Sequence, residues 1–230
     1  MDKIVVAIIV YNRFENVKRW VKCWKMCDQM DAELVVIQNY DESGMYDQSF
    51  MSLVKEYCNA NGIKHIARKN VGMDIGAFQD ICRSRLKGFD NDWNYLLWIT
   101  DDTFPMTKDF LKLFISRIKE PNVGIACMEI SNEHVPHVRT SGMMITKDLS
   151  RKIVFPADPV TGKKHCYDFE HRGNNILLKQ VGDLGLAVVQ VSEDIASLLW
   201  DTGHRGHLRS MQDHYNVFPD DNPVSLTSRG

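Results

Sequence analysis

The run Ile4-Val5-Val6-Ala7-Ile8-Ile9-Val10 has no polar residue and ends in Tyr11-Asn12-Arg13. A strand with one wet face alternates apolar and polar side chains, so an unbroken β-branched run reads as a strand buried on both faces. Such a strand needs cover on two sides. A helix is expected next, because Val17, Trp20, Val21, Trp24 and Cys27 fall on one face at 3.6-residue spacing. Glu33 to Gln38 reads as a second strand, followed by a helix marked by Phe50, Leu53, Val54 and Tyr57 that ends near Asn61-Gly62. Ile63 to Ala67 is a third strand, and a helix with Phe78, Ile81 and Cys82 follows a glycine-containing loop. Tyr95 to Thr100 is a fourth strand, preceding a helix with Leu111, Phe114, Ile115 and Ile118. Strand alternating with helix in this way implies an α/β fold with a mostly parallel sheet covered by helices on both faces.

The second half is less regular. Val123 to Met128, Gly142 to Thr146 and Leu186 to Val191 read as strands and Asp168 to Gln180 as a helix. Residues from Pro219 onward, with Asp220, Asp221, Asn222 and Pro223, read as a flexible tail or the start of a linker. The expected organisation is one domain over residues 1–218, in two halves that divide near residue 105, with a tail over 219–230.

Composition removes several function classes. A net charge of -2, from 28 basic and 30 acidic residues, gives no electrostatic pull toward nucleic acid or anionic membrane. The six cysteines show neither zinc-site spacing nor the density of a disulfide scaffold, which points to buried thiols in a reducing compartment. No window is long and apolar enough for a membrane span, and Ile4 to Val10 is too short for a signal-peptide core. A cytoplasmic setting is expected. The absence of GxGxxG after the first strand and of GxxxxGK[ST] anywhere argues against a dinucleotide dehydrogenase or a P-loop NTPase.

The polar residues gather where an open α/β sheet binds ligands, outside the carboxyl ends of its strands. Those ends are Tyr11-Asn12-Arg13, Asn39-Tyr40-Asp41, Arg68 to Asp74, and Asp101-Asp102-Thr103. Asp101 and Asp102 have no basic residue near them between Trp93 and Lys108, which suits a divalent cation; the alternative is that they cap a turn before Pro105. A nucleoside diphosphate satisfies the whole set. A magnesium- or manganese-like ion can bridge the acids to two phosphates while Tyr11 and Asn39 face the base. Where the diphosphate is a leaving group, the same ion stabilises its growing charge, as in glycosyl transfer.

Tyr11-Asn12-Arg13, the Asn-x-Gly-x-Asp-x-Gly-Ala loop at 70–77 and Ile-Thr-Asp-Asp-Thr-Phe-Pro at 99–105 resemble the GT-A fold glycosyltransferases of family 2. The resemblance covers about residues 4 to 190, and the loop from Asn70 to Phe78 looks most like bacterial enzymes of rhamnan and related polysaccharide synthesis. It implies an inverting hexosyl transfer from a UDP- or dTDP-linked sugar to a glycan or glycoconjugate hydroxyl, with Mn2+ or Mg2+. In that scheme Asp102 is the acid closest to the metal, in a DxD-like motif, and Asp101 shares the ion or binds the ribose. Tyr11 flanks the base, Asn39 contacts its edge, and Arg68 or Asp74 touches the base or the sugar diphosphate. Two departures stand out: Asn39 occupies a place where the family often has an acid, and Thr103 stands where many members have a third one.

Inverting transfer needs a general base for the acceptor hydroxyl. By the resemblance it is an acid opening a helix, which here is Asp168 first and Glu170 second, with Asp194 as a rival; a carboxylate there also serves as an ordinary helix cap. His204, His207 and His214 cluster after the last expected strand. A late histidine completes the metal site in related enzymes, which makes His204 a candidate ligand, against the alternative of solvated loop histidines. The segment Arg139-Thr140-Ser141-Gly142 is a candidate lining of the acceptor pocket without an assigned role. Two other readings stay open: a nucleotidyltransferase, which lacks its glycine- and arginine-rich loop here, and a catalytically silent nucleotide- or sugar-binding module.

Overall fold

The computed structural model describes residues 2–41, 48–133, 135–156, 163–172, 175–193, 199–202, 214 and 216–218. In chain order the first half contains β1 (Ile4–Val10), α1 (Phe14–Met26), β2 (Glu33–Tyr40), α2 (Gln48–Ala60), β3 (Lys64–Lys69), α3 (Met73–Cys82) and β4 (Tyr95–Thr100). There follow β5 (Thr103–Pro105), α4 (Phe110–Ile118), β6 (Val123–Cys127), β7 (Ile130–Ser131), β8 (His137–Val138), β9 (Gly142–Thr146) and α5 (Lys147–Lys152). The last elements are α6 (Lys164–Glu170), α7 (Leu177–Asp183), β10 (Ala187–Gln190) and β11 (Leu199–Asp201).

Every residue of β1 is buried, as its unbroken apolar run requires. Alternate side chains feed two separate cores. Ile4, Val6, Ile8 and Val10 join Val17, Trp20 and Trp24 of α1, Val54 of α2 and Phe114 of α4. Val5, Ala7 and Ile9 join Phe78 and Ile81 of α3, Phe169 of α6 and Val181 of α7. The sheet thus lies between two helical layers, with strand order β10-β6-β9-β4-β1-β2-β3.

The four strands β3, β2, β1 and β4 are parallel neighbours, so their carboxyl ends emerge on one side. The other half departs from simple alternation. β9 runs antiparallel between β4 and β6, while β10 returns parallel to β6. The small β7–β8 hairpin reverses the chain before β9 enters, and an antiparallel strand needs only such a short reversal.

Two expectations are corrected. Residues 168–180 are not one helix: α6 starts at Lys164 and ends at Glu170, where the amides of His171 and Arg172 both bond back to the Tyr167 carbonyl. Asp168 therefore lies inside a helix instead of opening one. On α2, Phe50, Val54 and Tyr57 pack on the core as expected, but Leu53 is 49% exposed and Cys58 takes its place on the buried stripe. All six cysteines are free thiols, and no described helix is long and apolar enough to cross a membrane.

Phe78 of α3 is fully buried against Trp98 of β4, Phe155 and Phe169 of α6, with ring centroids 5.3, 5.6 and 6.2 Å away. It locks both helices that border the strand ends to the sheet. Phe78→Ala is expected to lower unfolding free energy by about 3–5 kcal/mol, the usual cost of emptying a large aromatic site, measurable by urea denaturation.

Candidate functional site

At the end of β1, Asn12 takes a left-handed turn (φ 60°), a conformation asparagine tolerates better than most residues, and α1 begins immediately beyond it. The turn leaves Tyr11 partly exposed at 37% and projects Arg13 over the strand ends. The Tyr11 hydroxyl donates to the Asp41 carboxylate. The Tyr11 amide donates to Asp101 Oδ2 at 3.4 Å, while the Asp101 amide donates to Ile9 O at 3.0 Å. Asp101 is thus fixed by the same ladder that pairs β1 with β4.

At the ends of β2 and β3, Asn39 and Arg68 pair across the strands with their side chains almost fully buried. Arg68 Nη1 donates to Asn39 Oδ1 at 2.7 Å and to Met73 O at 3.3 Å; Nη2 donates to Val71 O at 2.9 Å; Nε donates to Asp80 Oδ2 at 3.1 Å. Asn39 Nδ2 adds a bond to Met73 O at 3.1 Å. Both ends of the Asn39 amide are spent within the protein. Asn39 still lines the cavity, but Arg68 sits beneath it as a brace, not at its surface. A buried guanidinium is tolerable only with its donors satisfied, and here the acceptors are the carbonyls of the very loop it must hold.

That loop explains the 70–77 motif. Gly72 and Met73 both have positive φ, 73° and 55°, which turns the chain into α3. Glycine accepts this at no cost, whereas Met73 accepts it because its carbonyl is held by Asn39 and Arg68. A Cβ on Gly76 would lie 1.9 Å from Val71 O, so only glycine lets the first turn of α3 close over the loop. Asp74, in that first turn, then borders the crevice.

Two cavities meet at the strand ends. The first, about 420 Å3, is lined by Ile9, Tyr11, Asn12, Arg13, Asn39, Asn70, Met73, Asp74, Thr100, Asp101 and Asp102. The second, about 360 Å3 and strongly polar, is lined by Asp74, Thr100, Asp102, Arg139, Thr140, Ser141, Lys163, Glu170 and Asp201. Asp74, Thr100 and Asp102 line both, so Asp102 stands on the partition between them. Of the expected residues, Tyr11, Asn39, Asp74, Asp101, Asp102 and Glu170 come together here. Asp168 lines neither cavity and pairs with Lys164 at 2.5 Å one turn back on α6. His204 and Asp194 lie outside the described residues. His214 is not a solvated histidine: it is fully buried, with Nδ1 3.0 Å from Pro105 O, and stacks on Phe218.

The carboxyl groups differ in environment. Asp101, 6% exposed, is pushed up to about 7 by burial, with Arg13 opposing the shift and Asp102 adding to it. Glu170 is also pushed up to about 7, by burial first and then by Asp74; it accepts from Thr140 Oγ1 at 2.5 Å and from the Thr140 amide at 3.3 Å. Asp74 is raised as well, chiefly by burial, and accepts a bond from the Cys166 thiol at 3.1 Å.

Among the described residues no group of three or more His, Cys, Asp or Glu side chains could hold a metal alone. Asp101 and Asp102 nevertheless suit a magnesium- or manganese-type ion, which is commonly bound by one or two carboxylates with the remaining ligands from phosphates and water. Arg13 and Asp201 carried no assigned role at the sequence level, and the structure brings both to this site. Arg13 was visible in the Tyr-Asn-Arg turn; Asp201 had no local signal. It arrives because β11 pairs antiparallel with β5, matching Asp201 to Thr103, after which the Thr202 amide and hydroxyl bond the Asp102 carbonyl at 2.9 and 3.0 Å.

No protein-family model and no curated protein sequence matches this chain. Solved structures do. The mannosyltransferase PcManGT from Pyrobaculum calidifontis, in complex with GDP-Man and Mn2+, superposes with TM-score 0.61 at 12% identity over 89% of this chain and 58% of its own. The 1–349 fragment of S. aureus TarS with UDP-GlcNAc gives 0.53 at 18% identity, over 94% of this chain and 64% of its own. Glucosyl-3-phosphoglycerate synthase from Mycobacterium tuberculosis, with phosphoglyceric acid, gives 0.50 at 11% identity, over 99% and 80%. The chain thus spans 58% of the length of the mannosyltransferase and 64% of the TarS fragment.

Gly76→Ala is expected to cost about 1–3 kcal/mol of stability, the range for forced overpacking, and to loosen the loop that carries Asp74. Thermal unfolding checks the first effect, and faster amide exchange at Gly72–Asp74 the second. In its seven-stranded sheet, helical layers and strand-end crevice, the chain has the GT-A fold of these glycosyltransferases.

Proposed function

We propose that this chain is a metal-dependent inverting glycosyltransferase that moves a sugar from a UDP- or dTDP-linked donor to a hydroxyl of a glycan or glycoconjugate. The observation that carries the reading is the pair of cavities sharing Asp102, one with the adjacent carboxylates Asp101 and Asp102 and the aromatic Tyr11, the other polar and lined also by Glu170 and Asp201. A donor diphosphate in the first cavity and an acceptor in the second bring the bond to be broken and the bond to be formed to the shared wall. Asp101 and Asp102 would hold a divalent cation, which when bound neutralises charge on the departing diphosphate. Tyr11 supplies the aromatic surface for the base. The loop resemblance to polysaccharide-synthesis enzymes supports a glycan acceptor, as does a basin of hydroxyl and charged groups, which matches a polyol better than a lipid tail. The buried free cysteines support a cytoplasmic setting.

Glu170 is the preferred base. It lines the acceptor cavity, its carboxyl is positioned by Thr140, and its raised pKa suits accepting a proton near neutral pH. Asp168 is bound to Lys164 and turned from both cavities. In a single displacement the acceptor oxygen bonds the anomeric carbon as the carbon–phosphate-oxygen bond breaks, and the acceptor proton passes to the Glu170 carboxylate.

Titration of UDP, dTDP and GDP with and without Mn2+ tests the donor site. Metal-dependent binding of one nucleotide is expected, weakened in Asp102→Ala by about 100-fold or more, since even outer-shell changes cost 10–100-fold; binding of none by folded protein would sink the reading. For the base, Glu170→Gln should reduce kcat by about 10²–10⁴-fold with donor binding intact, and Asp168→Asn should leave kcat close to wild type. Because Glu170 must be deprotonated to act, kcat/KM should rise with pH and level off above about 7. Its folded pKa exceeds the unfolded 4.5, so the folded state binds the extra proton between about 4.5 and 7 and stability falls as pH rises through that window. Glu170→Gln should flatten that fall in pH-dependent thermal unfolding.

A further inference from the structure

Among the described residues lining the donor cavity Arg13 carries the only positive charge, and the mechanism above gives it no part. Its Nη1 lies 2.8 Å from Asp102 Oδ2 and 3.5 Å from Asp101 Oδ1. Among the described residues its guanidinium meets no other acceptor, and its side chain is 51% exposed. The contrast with Arg68 is instructive: that side chain is 8% exposed and its donors are committed to fixed carbonyls, an amide and Asp80. Arg68 is built in, whereas Arg13 is held at one end by the start of α1 and at the other by two carboxylates.

Those carboxylates are the groups that would take the divalent cation. Guanidinium and metal ion need the same oxygens, and two cations at that spacing repel in a half-buried site. A nucleoside diphosphate resolves the conflict. It supplies new oxygens to the ion and, at the same time, an anionic group whose geometry suits the planar fork of an arginine. We propose that Arg13 is a counter-cation that competes with the metal for Asp101 and Asp102 when no donor is bound, and moves to the diphosphate when metal and donor bind together. This rests on the donor-site reading above. Metal alone then binds weakly, metal with nucleotide binds strongly, and arginine movement couples the two.

The test is Mn2+ binding by the full chain, read from the free-ion electron paramagnetic resonance signal, for wild type, Arg13→Gln, Arg13→Lys and Asp102→Ala, with and without the nucleoside diphosphate that wild type prefers. Arg13→Gln should bind Mn2+ alone about tenfold or more tighter, the scale on which one adjacent charge shifts an equilibrium. At saturating Mn2+ it should bind the nucleotide about tenfold or more weaker, having lost a charged hydrogen-bond donor. Arg13→Lys keeps the charge without the fork, so its Mn2+ affinity should stay near wild type while nucleotide affinity falls; this carries the test should Arg13→Gln not fold. Unchanged or weaker Mn2+ binding in folded Arg13→Gln, with binding lost in Asp102→Ala, would overturn the role of Arg13 and leave the donor site standing. Failure of wild type to bind Mn2+ even with nucleotide would remove the donor-site reading, and this inference with it.

Discussion

Neither face of β1 can be left against water, because its seven residues offer no polar side chain to either side. Burying both faces at roughly 25 cal/mol per Å2 of apolar surface is the dominant favourable contribution at this position. Here it is realised with helices above and below, supplied by the crossover connections between the parallel strands β1, β2, β3 and β4. Parallel strands end on the same side, so the polar turns after β1, β2, β3 and β4 have one place to meet. The crevice is a geometric consequence of the core, and the chemistry is carried by what each strand presents at its last residue.

Holding those last residues still is a separate problem, met by buried polar groups. Arg68 ties β2, β3 and the loop entering α3 into one unit through Asn39, Val71, Met73 and Asp80. Replacing such a cluster by apolar side chains is often neutral or favourable for stability, so its use here is better understood as positioning. The loop it fixes holds a non-glycine residue, Met73, at positive φ, and Gly76 against a carbonyl with no room for a methyl group. Strain of this kind persists where surrounding bonds over-determine it.

Opposing charge environments on the two sides of Asp102 give the crevice its polarity. In the first cavity Arg13 offsets two carboxylates; in the second Glu170 is pushed up to about 7 by burial and by Asp74. The short strand β11 closes this arrangement from the far end of the chain, bonding the Asp102 carbonyl through Thr202 and bringing Asp201 to within 3.6 Å of Arg139. His214 and Phe218 are buried in the core, His214 beside Phe104 and Cys23.

Local pattern determined most of the first half. The two-sided burial of β1, the stripe of α1 and the delivery of Asp101 and Asp102 by β4 are written in residue order, because strand and helix periodicity act over a few neighbours. The crevice residues Tyr11, Asn39 and Asp74 were legible for the same reason. What tertiary structure decided involves partners far apart in sequence. Whether Arg68 faces ligand or braces the loop depends on acceptors supplied by Asn39 and Asp80, and no local pattern gives its direction. Which acid of α6 faces the second cavity depends on where the helix starts: beginning at Lys164 instead of Asp168, it turns Asp168 to Lys164 and Glu170 to Thr140. Asp201 reaches the site only through the pairing of a three-residue strand with β5, and such short strands carry no periodicity to read. Sequence determined which strands bring chemistry to their ends; only the packing of distant segments decided which side chains face the cavities and which hold them in place.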